Sequence, residues 1–133
     1  MTINKSQFRM LVAAQLTLGI FSVFAGIMSE PTLPKELQDY LHLMAEKAPA
    51  VGELIICSIA IIAIVSNFGI LFFAKWSRNL FTLTYLLTSV GMFLFGPTVQ
   101  TGLITSIDEV EIFLSGFIVA CMYLTDINIY FKK

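Results

Sequence analysis

Four long stretches of this chain are almost free of ionisable side chains. Residues 10–28, 54–73 and 80–95 contain no Asp, Glu, Lys, Arg or His, and residues 110–125 contain only Glu111. Because the hydrocarbon core of a bilayer is ~30 Å thick and an α-helix rises ~1.5 Å per residue, a membrane span needs ~20 apolar residues. The pattern therefore predicts an all-α integral membrane protein with four helical spans. The predicted spans are residues 10–28, 54–73, 80–96 and 107–125.

The composition agrees with a membrane protein of one domain. The 133 residues are 57% hydrophobic and 13% charged, whereas soluble proteins are roughly 45–50% apolar and 25% charged. The mean hydropathy is +0.85. We therefore expect a single transmembrane domain over residues 1–133. The net charge of −1 excludes nucleic acid as a partner, since such binding needs a basic face.

The first uncharged stretch can be compared with a cleavable signal peptide, in which Lys5 and Arg9 would form the basic segment. The 19 residues from 10 to 28 exceed the ~7–15 residues of a signal-peptide core. No clear pattern of small residues for cleavage precedes Glu30. We therefore expect the first span to be retained.

The charges between the spans predict the orientation in the membrane. Four spans put both termini on one side, which holds six of the eight basic residues: Lys5, Arg9, Lys75, Arg78, Lys132 and Lys133. Eight of the nine acidic residues fall on the opposite side: Glu30, Glu36, Asp39, Glu46, Glu53, Asp108, Glu109 and Glu111. Positive charge near span ends stays cytoplasmic. We therefore expect a multi-pass protein of the bacterial inner membrane, with both termini in the cytoplasm and the acidic side in the periplasm.

The loop between the first two spans contains a periodic segment. Pro34 suits the first turn of a helix, and the apolar positions after it recur at helical spacing: Leu37, Tyr40, Leu41, Met44 and Ala48. This spacing predicts a short amphipathic external helix over residues 34–48. Its apolar face would lie on the lipid interface or cap the bundle, and a partner-binding surface is the alternative. His42, the single histidine, is expected to be solvated.

The connection between the second and third spans is short and basic. It contains Lys75, Trp76 and Arg78. Tryptophan prefers the membrane interface, and the two charges would lie at the lipid headgroups. We expect these three residues to form a cytoplasmic anchor for the hairpin.

Acidic residues precede the fourth span. Ser106 and Glu109 have the spacing of a capping box, which predicts that the fourth helix begins at about residue 107. Asp108, Glu109 and Glu111 would then lie in its first turns, where negative charge favours the positive end of the helix dipole. Helix capping therefore accounts for this acidic cluster at the level of the sequence.

Small residues mark one face of each span. Lipid-embedded helices associate through close packing and a few hydrogen bonds, so small side chains indicate contact faces. They are Gly19, Ser22 and Gly26 in the first span, Ala63, Ser66 and Gly69 in the second, Thr84 and Thr88 in the third, and Gly116 and Ala120 in the fourth. We expect a four-helix bundle in up-down-up-down order. Homodimerisation through one such face is the alternative.

Few polar side chains lie inside the spans, where such groups are the first places to look for function. The candidates are Gln15, Asn67, Thr84 and Tyr123. The first three fall at similar depths, roughly 7–9 Å from the cytoplasmic end of their spans. This predicts a polar layer in the cytoplasmic leaflet, with Gln15 hydrogen-bonded to Asn67 or close to it. Such a layer either joins the helices or forms a small polar cavity for a ligand.

The chemistry-bearing residues do not support an enzyme. Catalysis needs acid–base or metal-binding groups that converge at a pocket, and Cys57 and Cys121 form neither a metal motif nor a disulfide framework. We therefore expect a non-enzymatic protein with no cofactor and no metal. Ion coupling normally uses a carboxylate inside a span. We expect none there, in contrast to the small multidrug transporters, which carry a glutamate in the first span.

Three segments in the second half of the chain together resemble a known type of protein. They are residues 71–81, which include the Lys-Trp-Ser-Arg run, the Gly-Pro-Thr-Val run at residues 96–99, and residues 115–123. This half resembles small uncharacterised bacterial inner-membrane proteins with four spans and a Lys-Trp-x-Arg-type cytoplasmic hairpin. The resemblance implies a bacterial, four-helix membrane protein and brings no activity with it.

These features predict a small non-enzymatic membrane protein that acts through protein–protein contacts in the bilayer. Immunity to a membrane-targeting toxin is one such function by analogy, since several immunity proteins are small, multi-span and without catalytic groups. The alternative is a small-molecule channel or permease subunit that uses the intramembrane polar layer. The expected partners are the lipid bilayer and another membrane protein or a toxin.

Overall fold

Almost all of the part of the chain that the structure describes is helical. The computed structural model describes residues 3–47, 50–94 and 101–131. Its α-helices are α1 (Lys5–Ser29), α2 (Lys35–Lys47), α3 (Ala50–Leu71), α4 (Lys75–Leu94) and α5 (Gly102–Leu124). Two 3₁₀ turns follow α1 and α5: Glu30–Thr32 and Asp126–Phe131. These ranges contain no strand, and the prediction of an all-α fold is confirmed.

Some predicted features lie outside the described residues. They are the last position of the amphipathic segment, residue 48, the predicted end of the third span at residues 95–96, and the basic pair Lys132 and Lys133.

The four long helices pack side by side in antiparallel pairs. Helix α1 contacts α3 and α5, and α4 contacts the same two helices. The Arg9 side chain near the start of α1 donates to the Leu71 carbonyl at the end of α3, at 3.1 Å. Asn79 near the start of α4 accepts a hydrogen bond from Tyr123 near the end of α5, at 3.2 Å. Each long helix therefore contacts two of the other three, and the four surround a common space.

A buried apolar cluster lies at the end of the molecule where α1 begins. Its members are Phe8, Val12, Ile70, Phe81, Ile118, Cys121, Met122, Ile127 and Phe131. Two basic side chains cover it. Lys5 Nζ lies 4.0 Å from the centroid of the Tyr130 ring, and the Arg9 guanidinium lies 5.4 Å from that of Phe73. The Lys5 contact ties the C-terminal turn to α1, and the Arg9 contact ties the turn between α3 and α4 to α1. We call this the basic end of the molecule.

The turn between α3 and α4 is built on Phe73, which has a positive φ of 57°. Its amide donates to the Ile70 carbonyl and the amide of Ala74 donates to that of Gly69, and this pair of bonds is a Schellman cap. Glycine usually occupies this position, because the left-handed conformation costs an L-residue about 1–2 kcal/mol. The Phe73 ring packs against Phe131, with centroids 5.3 Å apart. The ring contacts therefore offset the backbone strain.

Helices α3 and α4 approach each other closely at Gly69. A Cβ built at this position would lie 2.5 Å from the Ser77 Cβ and 3.0 Å from Cη2 of Trp76. Since real Cβ atoms do not approach so closely, this separation of the helices requires glycine. A Cβ built at Gly26 meets nothing within 4 Å in the described structure. Among the glycines on the predicted contact faces, Gly69 therefore lies in a helix contact, whereas Gly26 faces open space.

Helix α2 begins after Pro34, whose carbonyl accepts hydrogen bonds from the amides of Leu37 and Gln38. It covers most of the segment that the sequence predicts as amphipathic. Tyr40 is half-buried, and His42 is exposed. The described part of α2 therefore leaves the histidine in solvent, as its sequence context indicates.

In the described ranges, α1 alone is long and apolar enough to cross a membrane. Its most apolar stretch is only 11% buried inside the protein, whereas the core helix of a soluble protein is mostly buried. A signal sequence near the N-terminus can also be long and apolar enough by these two criteria. A shorter apolar segment, Cys57–Leu71, lies in α3. By length and composition α1 is therefore a candidate membrane span.

Candidate ligand cavity

A cavity of about 380 Å³ lies among α1, α3, α4 and α5. Its apolar wall is formed by Ile59, Ala60, Ala63, Phe81 and Ile112. Three of the four polar residues singled out in the sequence also line it: Gln15, Asn67 and Thr84. The fold thus brings residues from three different helices to one cavity.

Gln15 enters the cavity from α1 and is 6% exposed. Its Nε2 donates to the hydroxyl of Ser115 on α5, at 3.2 Å. Its Oε1 accepts no hydrogen bond within the described residues. One half of the amide therefore joins two helices, and the other half is left as a buried acceptor at the cavity.

Asn67 enters from α3 and is 4% exposed. Its Nδ2 donates to the carbonyl of Ala63 in the preceding turn, at 3.0 Å. A carbonyl can only accept, so this bond fixes which end of the amide faces the helix. The Asn67 Oδ1 is left without a donor in the part of the chain that the structure describes. Gln15 and Asn67 line the same cavity without a hydrogen bond to each other.

Four hydroxyl groups of the cavity donate to the backbone of their own helices. Ser66 donates to the Ala63 carbonyl at 2.8 Å and Thr84 to the Leu80 carbonyl at 2.8 Å. Thr88 and Ser89 on α4 each donate to the backbone carbonyl four residues earlier, at 2.9 Å. The protons of these four hydroxyls are therefore taken up by the backbone, and their oxygen lone pairs remain for a ligand.

Two acidic residues also line the cavity, and neither was predicted as a site residue. Asp108 accepts a hydrogen bond from the hydroxyl of Ser22 across the α1–α5 contact, at 2.5 Å. Glu111 lies one turn further along α5, and a Cβ built at Gly19 would lie 2.9 Å from its Oε1. The absence of a side chain at Gly19 therefore makes room for the carboxylate between the two helices.

The predicted start of the fourth helix is wrong. Helix α5 begins at Gly102, with Thr101 as its N-cap residue. The hydroxyl of Ser106 donates to the Gly102 carbonyl at 3.0 Å, as serine does inside a helix, so it caps no terminus. Glu111 lies about two and a half turns into α5. Glu111 therefore lies in the interior of this long helix and not in its first turn.

A signal for this acidic pair was present in the sequence. Asp108, Glu111 and Ser115 follow one another at spacings of three and four, which places them on one face of a helix. Glu109 lies off that face and is exposed. The i, i+3, i+7 pattern would have indicated an inward polar stripe once the helix was extended back to Gly102.

Tyr123, the fourth polar candidate, lies away from the cavity. Its hydroxyl donates to Asn79 Oδ1 at 3.2 Å and lies 3.4 Å from the hydroxyl of Thr82. The Arg78 guanidinium lies 4.7 Å from the centroid of its ring. Tyr123 therefore belongs to a contact between α4 and the end of α5.

The predicted anchor residues differ in what they contact. Lys75 is exposed, and Trp76 is half exposed while its ring covers Gly69. Arg78 is half-buried, and its Nη1 donates to Asn128 Oδ1 in the C-terminal turn, at 2.6 Å. Arg78 therefore holds the C-terminal turn in addition to any role at the membrane surface.

Metal-binding groups are not gathered in the described ranges. No three His, Cys, Asp or Glu side chains there lie close enough to hold a metal ion. Cys57 is an exposed free thiol and Cys121 is a buried one. The two thiols therefore do not form a disulfide.

Comparison of the chain with protein-family models, with curated proteins and with solved structures finds no match. The resemblance to small bacterial four-span proteins stays a prediction. The interpretation of the cavity therefore depends on its own geometry.

Proposed function

We propose that this protein is a four-span integral membrane protein that binds a small solute in the cavity among α1, α3, α4 and α5. Solute binding would be one step of a channel or permease function. The observation that carries the proposal is the pair of buried amide oxygens, Gln15 Oε1 and Asn67 Oδ1, which line one cavity without donors in the described structure. Buried polar groups are normally satisfied, so a bound solute or its water is the natural partner.

The surface of the long helices supports a membrane location. Large apolar side chains are exposed on each of them. Examples are Phe24 and Met28 on α1, Leu54 and Phe68 on α3, Leu83 and Val90 on α4, and Phe113 and Leu124 on α5. Soluble monomers rarely expose apolar patches of more than a few hundred Å². Lipid is the solvent that suits such a surface. Because all four long helices carry exposed apolar side chains, this surface supports a four-helix bundle with four spans.

The contacts at the basic end support the proposed orientation. Lys5 and Arg9 at the start of α1 and Arg78 at the start of α4 all contact residues of the C-terminal turn or of the α3–α4 turn. These positive charges therefore gather at one end of the bundle. The positive-inside rule makes that end cytoplasmic in a bacterial inner membrane, with both termini inside.

Action through protein contacts, with toxin immunity as its specific form, stays a prediction. The apolar helix faces that would receive a membrane partner are the same faces that lipid would cover. The cavity, in contrast, has no use in that function. We therefore favour the solute-binding function.

Cysteine labelling in membrane vesicles tests the proposal. In a chain with Cys57→Ser and Cys121→Ser, single thiols are introduced as Ala63→Cys, which lines the cavity, and Ile64→Cys, which is exposed on the outer face of α3. Both receive water-soluble, permanently charged methanethiosulfonates. We expect Ala63→Cys to react because the cavity holds water, and Ile64→Cys to stay unreactive because lipid covers it.

Each alternative outcome identifies what fails. Equal reaction at Ile64→Cys would show that α3 faces water, which contradicts the membrane location. An unreactive Ala63→Cys would show that solutes do not reach the cavity, which contradicts solute binding. Denaturation in detergent must expose both thiols in either case, and this serves as the control for the chemistry.

A further inference from the structure

The cavity offers hydrogen-bond acceptors and almost no donors. The amide nitrogens of Gln15 and Asn67 donate to Ser115 and Ala63, and the hydroxyls on α3 and α4 donate to backbone carbonyls. The amide oxygens are left free within the described chain, at residues that are more than nine-tenths buried. A ligand that fits this lining must therefore supply the N–H or O–H groups itself.

The charge of the lining has one sign. Asp108 and Glu111 project into the cavity from α5. Among the lining residues of the described chain, none is Lys, Arg or His. A cation entering the cavity would therefore meet two carboxylates without a competing positive side chain, in surroundings that screen charge less than water does.

The acidic pair lies beside an apolar wall. Phe81 is buried, and Ile59 and Ile112 add aliphatic surface to the same cavity. An inorganic cation would use the carboxylates alone and would leave this wall in contact with its hydration shell. An organic cation with a short hydrocarbon part would contact both the carboxylates and the wall.

We propose that the solute bound in this cavity is a small organic cation, an ammonium or guanidinium group on a short apolar chain. This inference rests on the proposed solute-binding function. The cationic group donates to the Asp108 and Glu111 carboxylates and to the free oxygens of Gln15 and Asn67. An alkylammonium carries three N–H donors, so this set of acceptors satisfies all of them.

Binding by the full-length protein in detergent micelles tests the charge requirement. The probes are n-butylammonium chloride, 1-butanol, which has the same number of heavy atoms and no charge, and sodium chloride. Isothermal titration calorimetry should show saturable binding of n-butylammonium, with 1-butanol weaker by about ten- to a hundredfold, since hydrogen bonds to charged groups are the stronger ones. Sodium ions should not displace n-butylammonium at equal concentration.

A matched pair of variants tests the carboxylates. Glu111→Gln removes a charge from the cavity, and Glu109→Gln removes a charge two residues away that is exposed on the same helix. We expect the first to weaken n-butylammonium binding by about tenfold or more and the second to leave it unchanged. Circular dichroism reports whether each variant keeps its helices, and the comparison of the probes on the unmodified protein does not depend on any variant.

The labelling experiment separates the failure of this inference from the failure of the proposed function. If Ala63→Cys reacts and n-butylammonium slows the reaction while 1-butanol does not, both stand. If Ala63→Cys reacts and the two probes protect it equally, or only sodium ions do, the cavity admits solutes but the organic-cation assignment is wrong. If Ala63→Cys never reacts, the solute-binding function itself is wrong.

Discussion

Under the proposed function, the Asn67 side chain serves a ligand at the expense of stability. Its Nδ2 donates to the Ala63 carbonyl, which is already part of the hydrogen-bonded backbone of α3. Its Oδ1 is buried without a donor in the described structure. A buried unsatisfied acceptor costs about 1–3 kcal/mol. Asn67 therefore contributes little to folding, and its chemistry is available to whatever fills the cavity.

Replacement of Asn67 by leucine tests this assignment. Because Leu has a similar size and leaves no polar atom unpaired, Asn67→Leu should keep or raise the thermal unfolding temperature in detergent. The same variant should lose solute binding in titration calorimetry and solute flux in proteoliposomes. The matched control is Asn128→Leu, because the oxygen of Asn128 accepts the bond from Arg78. That control should be destabilised by about 1–3 kcal/mol, and a loss of stability in Asn67→Leu of the same size would show that its oxygen is partnered.

Single elements differ in how well the sequence predicts them. The cores of α1, α3 and α4 follow from long uncharged stretches, and α2 follows from its apolar spacing after Pro34. The start of α5 does not, because Thr101 and Gly102 have the composition of a loop and Ser106 with Glu109 imitates a capping box. With a start at residue 107, the predicted helix has Asp108 and Glu111 in its first turns, whereas both lie further along α5 in the structure. Gln15, Asn67 and Thr84 were identified because they are polar within apolar runs, whereas the cavity they line depends on how four helices pack.

The contact between α3 and α4 depends on one missing methyl group. Gly69→Ala would bring a Cβ to 2.5 Å from the Ser77 Cβ, so the helices must separate. We expect a loss of about 1–3 kcal/mol in the free energy of unfolding, as for other overpacked contacts. Thermal unfolding in detergent, followed by circular dichroism, measures it.

The control for this contact is Gly26→Ala in α1, where the new Cβ meets nothing within 4 Å of the described chain. Alanine favours a helix over glycine by roughly 0.5–1 kcal/mol, so this variant should be unchanged or slightly more stable. If both alanine variants unfold alike, α3 and α4 are not in close contact at Gly69.

At the scale of the whole molecule, charge and apolar surface are segregated. Apolar side chains face outward along the long helices, carboxylates line the space between them, and Lys5, Arg9 and Arg78 gather at one end. Each basic side chain also holds a turn or the C-terminal segment through a cation–π contact or a hydrogen bond. In the proposed topology, the orientation in the membrane and the closure of the basic end therefore depend on the same residues.

This segregation predicts which parts of the chain face each side of the membrane. Ser6, beside Lys5 at the start of α1, and His42, in α2, are both exposed and lie on opposite sides in the proposed topology. In intact bacterial cells expressing the chain with Cys57→Ser and Cys121→Ser, a membrane-impermeant maleimide should label His42→Cys and leave Ser6→Cys unlabelled, because the positive-inside rule keeps the start of α1 in the cytoplasm. Permeabilised cells should label both. Labelling of Ser6→Cys alone in intact cells would reverse the proposed orientation. Labelling of both positions in intact cells would place them on the same outer side, which contradicts a span over α1 and so the four-span topology.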